Sequence, residues 1–163
     1  MQSKYLLLLP LAFFANTVLA HGKGTHEQKK PAVDYSKAEE KKFGIAADPK
    51  RAKRTMTVEM SDTMRFTPAE ITVKRGEMVK FMIKNNGKMM HEMVLGTLDE
   101  LKEHSELMRK FPGMEHDEPH MAHVAPGKSG EMDWQFTQKG EFYYACLLPG
   151  HFEAGMVGKI IVE

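Results

Sequence analysis

The chain has 163 residues, with 14 Met, 8 His, a single Cys and a formal net charge of +1. One Cys excludes an internal disulfide framework and any zinc site needing two or more thiolates, and no C-x-x-C-H occurs to attach a c-type haem. The near-zero charge argues against a general nucleic-acid binder, which carries a strong basic excess.

Residues 1–20 read as an export signal. Lys4 supplies a positive start, Tyr5 to Val18 is nearly all apolar, and Val18-Leu19-Ala20 offers the small residues of a cleavage site. The apolar run is short for a membrane span, so no span is expected after cleavage, and the mature chain is expected in the periplasm, starting at His21. Loss of Lys4 leaves 22 basic residues against 22 acidic ones. Export sharpens the question of the lone Cys, because an unpaired thiol in an oxidising compartment is a liability unless it is buried or bound to metal.

Residues 21–54 form a charged stretch with ten Lys or Arg against five Asp or Glu between Gly22 and Arg54. Low apolar content and no sustained period predict a solvated, mostly irregular arm, with a short helix around Ser36 to Phe43. From Thr55 the pattern turns to short strands. Ile71 and Val73 point away from Thr72; Val79, Phe81 and Ile83 form one face and Met78, Lys80 and Met82 the other. Extended structure resumes over His91 to Leu95; Met132, Trp134 and Phe136 alternate with Glu131, Asp133 and Gln135; the last two strands are Glu141 to Cys146 and Gly155 to Val162. Period-two runs between turn residues predict an all-β, antiparallel sandwich of roughly seven or eight strands over residues 55–163.

One helix interrupts the strands. Thr97-Leu98-Asp99-Glu100 matches a capping box, Leu98, Leu101 and Met108 share a face, and Phe111-Pro112-Gly113 ends the run. Helix and following loop, to about Val124, read as an insertion, with His104 exposed on the helix.

The chemistry concentrates between the last two strands, in Cys146-Leu147-Leu148-Pro149-Gly150-His151-Phe152-Glu153-Ala154-Gly155-Met156, with His91 upstream at a strand start. Two imidazoles, one thiolate and a weak thioether suit copper that cycles between Cu(I) and Cu(II). A loop between adjacent strands can present Cys146, His151 and Met156 to one ion, and His91 would complete the set from a neighbouring strand. The metal would also consume the lone thiol. A Cys146–His151 nucleophilic dyad is the enzymatic alternative, but no third orienting group is suggested for it.

These residues resemble the cupredoxins. Phe66-Thr67-Pro68, Ile71-Thr72-Val73, Gly76, Val79-Lys80-Phe81, Asn85-Asn86 and His91 are similar to their N-terminal half. Tyr144-Ala145-Cys146, Pro149-Gly150-His151, Gly155-Met156 and Gly158 are similar to their copper loop. The resemblance covers residues 55–163 and implies a Greek-key sandwich with one type 1 copper, held by His91, Cys146, His151 and axial Met156. Family members often carry Asn directly after the first ligand His, where it ties down the Cys loop; here Glu92 stands in that place.

Further candidate ligands surround this minimum. Met89-Met90-His91-Glu92-Met93 sets thioethers about the first ligand, and residues 114–123 hold Met114, His116, His120, Met121 and His123. His21, as a new N-terminus, would add an amine and an imidazole, with His26 nearby. Thioethers suit Cu(I), and imidazole and amine suit Cu(II). Together these features resemble the periplasmic, CopI-like copper-tolerance cupredoxins and imply binding of copper, with oxidation of Cu(I) to Cu(II). The alternative is a diffusible electron carrier docking redox proteins through an apolar patch at Leu147, Leu148, Phe152 and Ala154.

Overall fold

A computed structural model describes residues 34–112 and 116–163. Ten strands and one long helix follow one another: β1 (Ile45–Ala46), β2 (Arg54–Ser61), β3 (Arg65–Thr67), β4 (Glu70–Val73), β5 (Met78–Asn85), β6 (His91–Gly96), α1 (Leu98–Lys110), β7 (Met121–Val124), β8 (Ser129–Gln135), β9 (Gly140–Ala145) and β10 (Val157–Val162). They build two five-stranded sheets, ordered β1-β8-β5-β2-β3 and β4-β10-β9-β6-β7.

The period-two reading describes the strands well. Val79, Phe81 and Ile83 are buried while Met78, Lys80 and Met82 stay partly exposed, and Met132 and Trp134 point inward from β8. Inward residues of both sheets, among them Phe66, Phe81, Trp134, Phe136 and Tyr144, form one core. The pairing is not wholly antiparallel, however. β2 runs parallel to β5, and β4 parallel to β10. After β3 the chain leaves the first sheet, adds β4 to the second, and returns as β5 in the direction in which β2 ran. Alternation cannot report this, because it gives the face of each residue and not the direction of its neighbour.

β6 is buried at every position. Met93 and Leu95 face the main core, whereas Val94 joins Leu101, Met108, Met121, Ala145 and Leu147 in a second cluster beneath α1. A strand covered on both faces reads as a continuous apolar run. α1 has the expected capping box: the Thr97 hydroxyl accepts the Glu100 N–H and the Glu100 carboxylate accepts the Thr97 N–H. Its buried stripe is Leu101, Ser105 and Met108, so Leu98, 44% exposed, stays outside.

The packed body begins before Thr55. Only a single 3-10 turn, Tyr35–Lys37, stands where a short helix was expected, and the segment after it joins the sandwich instead of lying in solvent. Phe43 is buried and stacks on Trp134 with ring centroids 5.3 Å apart, the Trp134 indole N–H donates to the Phe43 carbonyl at 2.8 Å, and β1 pairs with β8. Gly44 makes the turn into β1 with φ of 125°, a conformation closed to most side chains. One aromatic residue carries the docking. Burial of Phe43, worth roughly 1.5–3 kcal/mol, outweighs the polar composition around it.

The sequence also places strand structure too late on the far side of the insertion. Residues 121–124, expected as loop, form β7 and pair with β6.

Candidate metal centre

His91 opens β6, Cys146 directly follows β9, and His151 lies in the connection to β10. One ligand atom from each lies within 4.8 Å of the other two. Cys146 Sγ is 3.2 Å from His151 Nδ1, and the rings of His91 and His151 are centred 5.0 Å apart. Cys146 and His91 are fully buried, whereas His151 is half-buried and forms the edge of the cluster that reaches the surface.

Backbone bonds set the shape of the loop. His151 N–H donates to Leu148 O at 2.9 Å, with Gly150 supplying φ of 87° in that turn. Met156 N–H donates to His151 O, and Cys146 N–H donates to Met156 O at 3.1 Å, which closes the loop on itself. The loop is also pinned from outside, as Arg65 Nη1 donates to Ala154 O at 2.8 Å. Met156 is buried in the same core cluster as Cys146, below the loop.

Two carboxylates hold the histidine side of the cluster. Asp62, in the turn after β2, lies 3.1 Å from His91 Nε2 and also accepts the backbone N–H groups of Lys88 and Met89. These backbone bonds first, and the imidazole with them, hold the Asp62 carboxyl below its usual range. With Nε2 facing a carboxylate, His91 Nδ1 is left buried without a hydrogen-bond partner. A buried ring nitrogen in that state, beside a thiol and a second imidazole, fits a metal. Glu92, 1% exposed, accepts the Leu147 N–H at 2.8 Å. It thus ties the Cys loop from the position where Asn is usual in the family. Its other oxygen lies 2.7 Å from His123 Nε2.

Sequence reasoning missed Asp62 and Arg65. Both lie in or beside a turn with no motif of its own. Only the parallel β2–β5 register, which sets Met60 opposite Asn85, brings Asp62 beside the 86–91 loop.

Burial pushes the Cys146 thiol up to about 12. Such a thiol is a poor nucleophile at neutral pH, which weighs against a Cys–His hydrolytic dyad, while a metal cation can displace its proton. Burial, then the nearby His91, lowers His151, so its imidazole is a neutral donor at neutral pH.

Residues 52–163 match the family described as copper binding proteins, plastocyanin/azurin family. The chain belongs to that family. This cupredoxin brings together His91, Cys146 and His151, a His-Cys-His cluster that supports a type 1 copper centre. Relatives match it nearly end to end. The Copper-resistant cuproprotein CopI of Rubrivivax gelatinosus is 49% identical over 157 residues, covering 96% of this chain and 94% of that one. The protein of the same name from Pseudomonas aeruginosa is 34% identical over 185 residues, covering 96% and 97%. Among solved structures, auracyanin B superposes with TM-score 0.62 at 20% identity, covering 74% of this cupredoxin and 96% of that chain. Auracyanin from Roseiflexus castenholzii gives 0.59 at 19%, covering 69% and 98%. These two likenesses concern the fold.

The other candidate ligands do not form the single loop cluster expected from sequence. His21, His26 and Met114 lie outside the described residues, as do residues 1–20. Met121 is 1% exposed in the cluster beneath α1, and His123 is held by Glu92, so neither joins a surface loop site. Residues 121–124 are strand, so the sheet and not a loop decides where these two side chains lie. His120 packs on Phe43 with ring centroids 5.4 Å apart. His104, expected to be exposed, is half-buried, with its ring 4.8 Å from that of His116. Of the expected docking patch, Leu147 is fully buried beneath α1, Leu148 and Phe152 are partly exposed, and Ala154 is exposed. The helix that covers Leu147 removes it from any partner's reach. Among the described residues no helix is long and apolar enough to cross a membrane.

Proposed function

We propose that this cupredoxin is an exported copper-tolerance protein that binds periplasmic copper and oxidises Cu(I) to Cu(II). His91 Nδ1, Cys146 Sγ and His151 Nδ1 would hold the type 1 copper, with Met156 as the weak axial ligand. Copper bound there supplies a one-electron couple. The tolerance role is supported by relatives that carry copper resistance in their names and match along nearly the whole chain.

One observation supports the redox half most directly: Met89 and Met90 stand 42% and 44% exposed immediately ahead of fully buried His91. Exposed thioethers are open to a soft ion from solvent, and thioethers suit Cu(I). Substrate Cu(I) would be captured by these thioethers, and copper held by His91, Cys146 and His151 would supply the one-electron acceptor; imidazole and carboxylate groups hold the resulting Cu(II) better. Asp62 and Glu92 keep His91 and the Cys loop in place through both states, so little must move. A redox protein or dioxygen would then take the electron from the His151 edge.

The test is anaerobic addition of Cu(I) to protein whose centre is oxidised. One equivalent should bleach the visible thiolate-to-copper absorption, and Met89→Ala/Met90→Ala should slow the bleaching about tenfold or more. Absorption that persists in the wild type overturns the oxidation reading. The electron-carrier alternative keeps only Leu148, Phe152 and Ala154 of its patch.

A further inference from the structure

Among the described residues, four histidines lie outside the cysteine cluster: His104, His116, His120 and His123. His123 is engaged by Glu92 at 2.7 Å and by Asp117 at 3.5 Å. The other three converge on one flank. His104 projects from α1 and His116 from the segment beyond it, with ring centroids 4.8 Å apart and planes inclined by 32°. His120, just before β7, joins His104 in lining a cleft of about 190 Å³ between α1 and β6, walled by Phe43, Leu95 and Leu101. The helix and the segment that follows it thus bring three imidazoles together, two of them from the His-rich stretch that the sequence singled out.

We infer that His104 and His116, with His120 beside them, form a second divalent-metal site of the imidazole class, suited to Cu(II). Two imidazoles on one ion with bonds of about 2.0 Å bring their ligating nitrogens to about 3 Å, which rings centred 4.8 Å apart reach with small rotations. His104 and His120 are held toward the neutral form. Burial lowers His104, then His116 lowers it further; burial takes His120 to about 4, with Lys41, His104 and His116 adding to the effect. Neutral imidazoles bind metal without a proton to expel. Glu100 lines the same cleft and offers negative charge, while Lys41, also in its wall, is engaged by Glu39 at 2.7 Å.

Cu(II) is the strongest-binding divalent ion of the first transition series at nitrogen sites. The choice of this ion rests on the proposed function, in which Cu(II) is the product to be held; the clustering of the imidazoles does not. The site differs from the loop cluster expected from sequence, for it gains His104 and loses Met121 and His123.

The experiment uses the full chain carrying His21→Gln and His26→Gln, with its cysteine centre loaded with copper. Cu(II) alone is then titrated in, followed by metal counting and electron paramagnetic resonance. A second copper with nitrogen-coupled, type 2 character is expected, and His104→Gln/His116→Gln should weaken it at least tenfold while the visible band stays at full intensity. His120→Gln should weaken it less. Absence of a second copper, or one equally tight in the double variant, overturns the inference and leaves the cysteine centre untouched. Failure of the parent to show the visible band would instead overturn the copper-centre reading.

Discussion

The cysteine end of the sandwich and the flank beneath α1 are both rich in His and Met, yet they are built in opposite ways. At the cysteine end, the loop 146–156 is tied to itself by backbone bonds, to Arg65 from outside, and to Glu92 through the Leu147 N–H. His91 is oriented by Asp62. Three donors therefore meet with their directions already set, which makes geometry nearly free at the moment of binding. On the flank, residues 116–123 are divided among a salt bridge, a core and a cleft. His/Met density predicted ligands equally well in both places. What separates them is how firmly the backbone holds the side chains that meet: the loop 146–156 is tied at several points, whereas on the flank His104, His116 and His120 approach one another and Met121 and His123 are drawn elsewhere.

The largest expected effect falls on the cysteine end. Cys146→Ser should abolish the visible absorption on Cu(II) addition, because the thiolate is its source, while copper on the flank histidines remains detectable by metal counting. Next comes Met121→Ala, which should lower stability by about 2–5 kcal/mol in urea denaturation, the range for truncating a buried Met. It should leave both copper populations unchanged; loss of copper would return Met121 to the ligands and blur the contrast.

Glu92→Ala should cost about 1–3 kcal/mol by stranding the buried Leu147 N–H. It should also shift the visible band, since the Cys loop loses its tie, whereas Glu92→Gln, which keeps an acceptor oxygen, should restore part of both. A band unmoved in Glu92→Ala would show that the loop is self-sufficient.

The smallest effect is a pH dependence of the flank. His120 takes a proton near 6.5 when unfolded and near 4 when folded. Between those values the unfolded state binds more protons, so stability falls as pH falls through that window. After discounting for partial exposure, wild type should lose about 1–2 kcal/mol more than His120→Gln between pH 7 and pH 4, measured by urea denaturation. Equal losses would mean that the cleft solvates His120 fully.

Much of this was legible residue by residue. Alternation in β5 and β8, the capping box of α1 and the Cys-His-Met loop each depend on neighbours within a few positions, so sequence order carries them. The docking of residues 41–47 was hidden because one aromatic, Phe43, outweighs ten basic residues around it, and composition averages such a residue away. Leu147 was misread as surface because nothing in the loop reports that α1 lies over it.

The sequence alone determined the strand faces, the helix start and the choice of Cys146 and His151 as candidate donors, since these follow from side-chain chemistry and local spacing. Only the tertiary structure decided which histidines meet. His91 is joined to Cys146 by the β6–β9 pairing, Asp62 to His91 by the parallel β2–β5 register, and His104 to His116 by the path of the chain around α1. Each of these contacts spans many residues, and a contact of that kind is fixed by which apolar faces must be covered, not by the polar residues that profit from it.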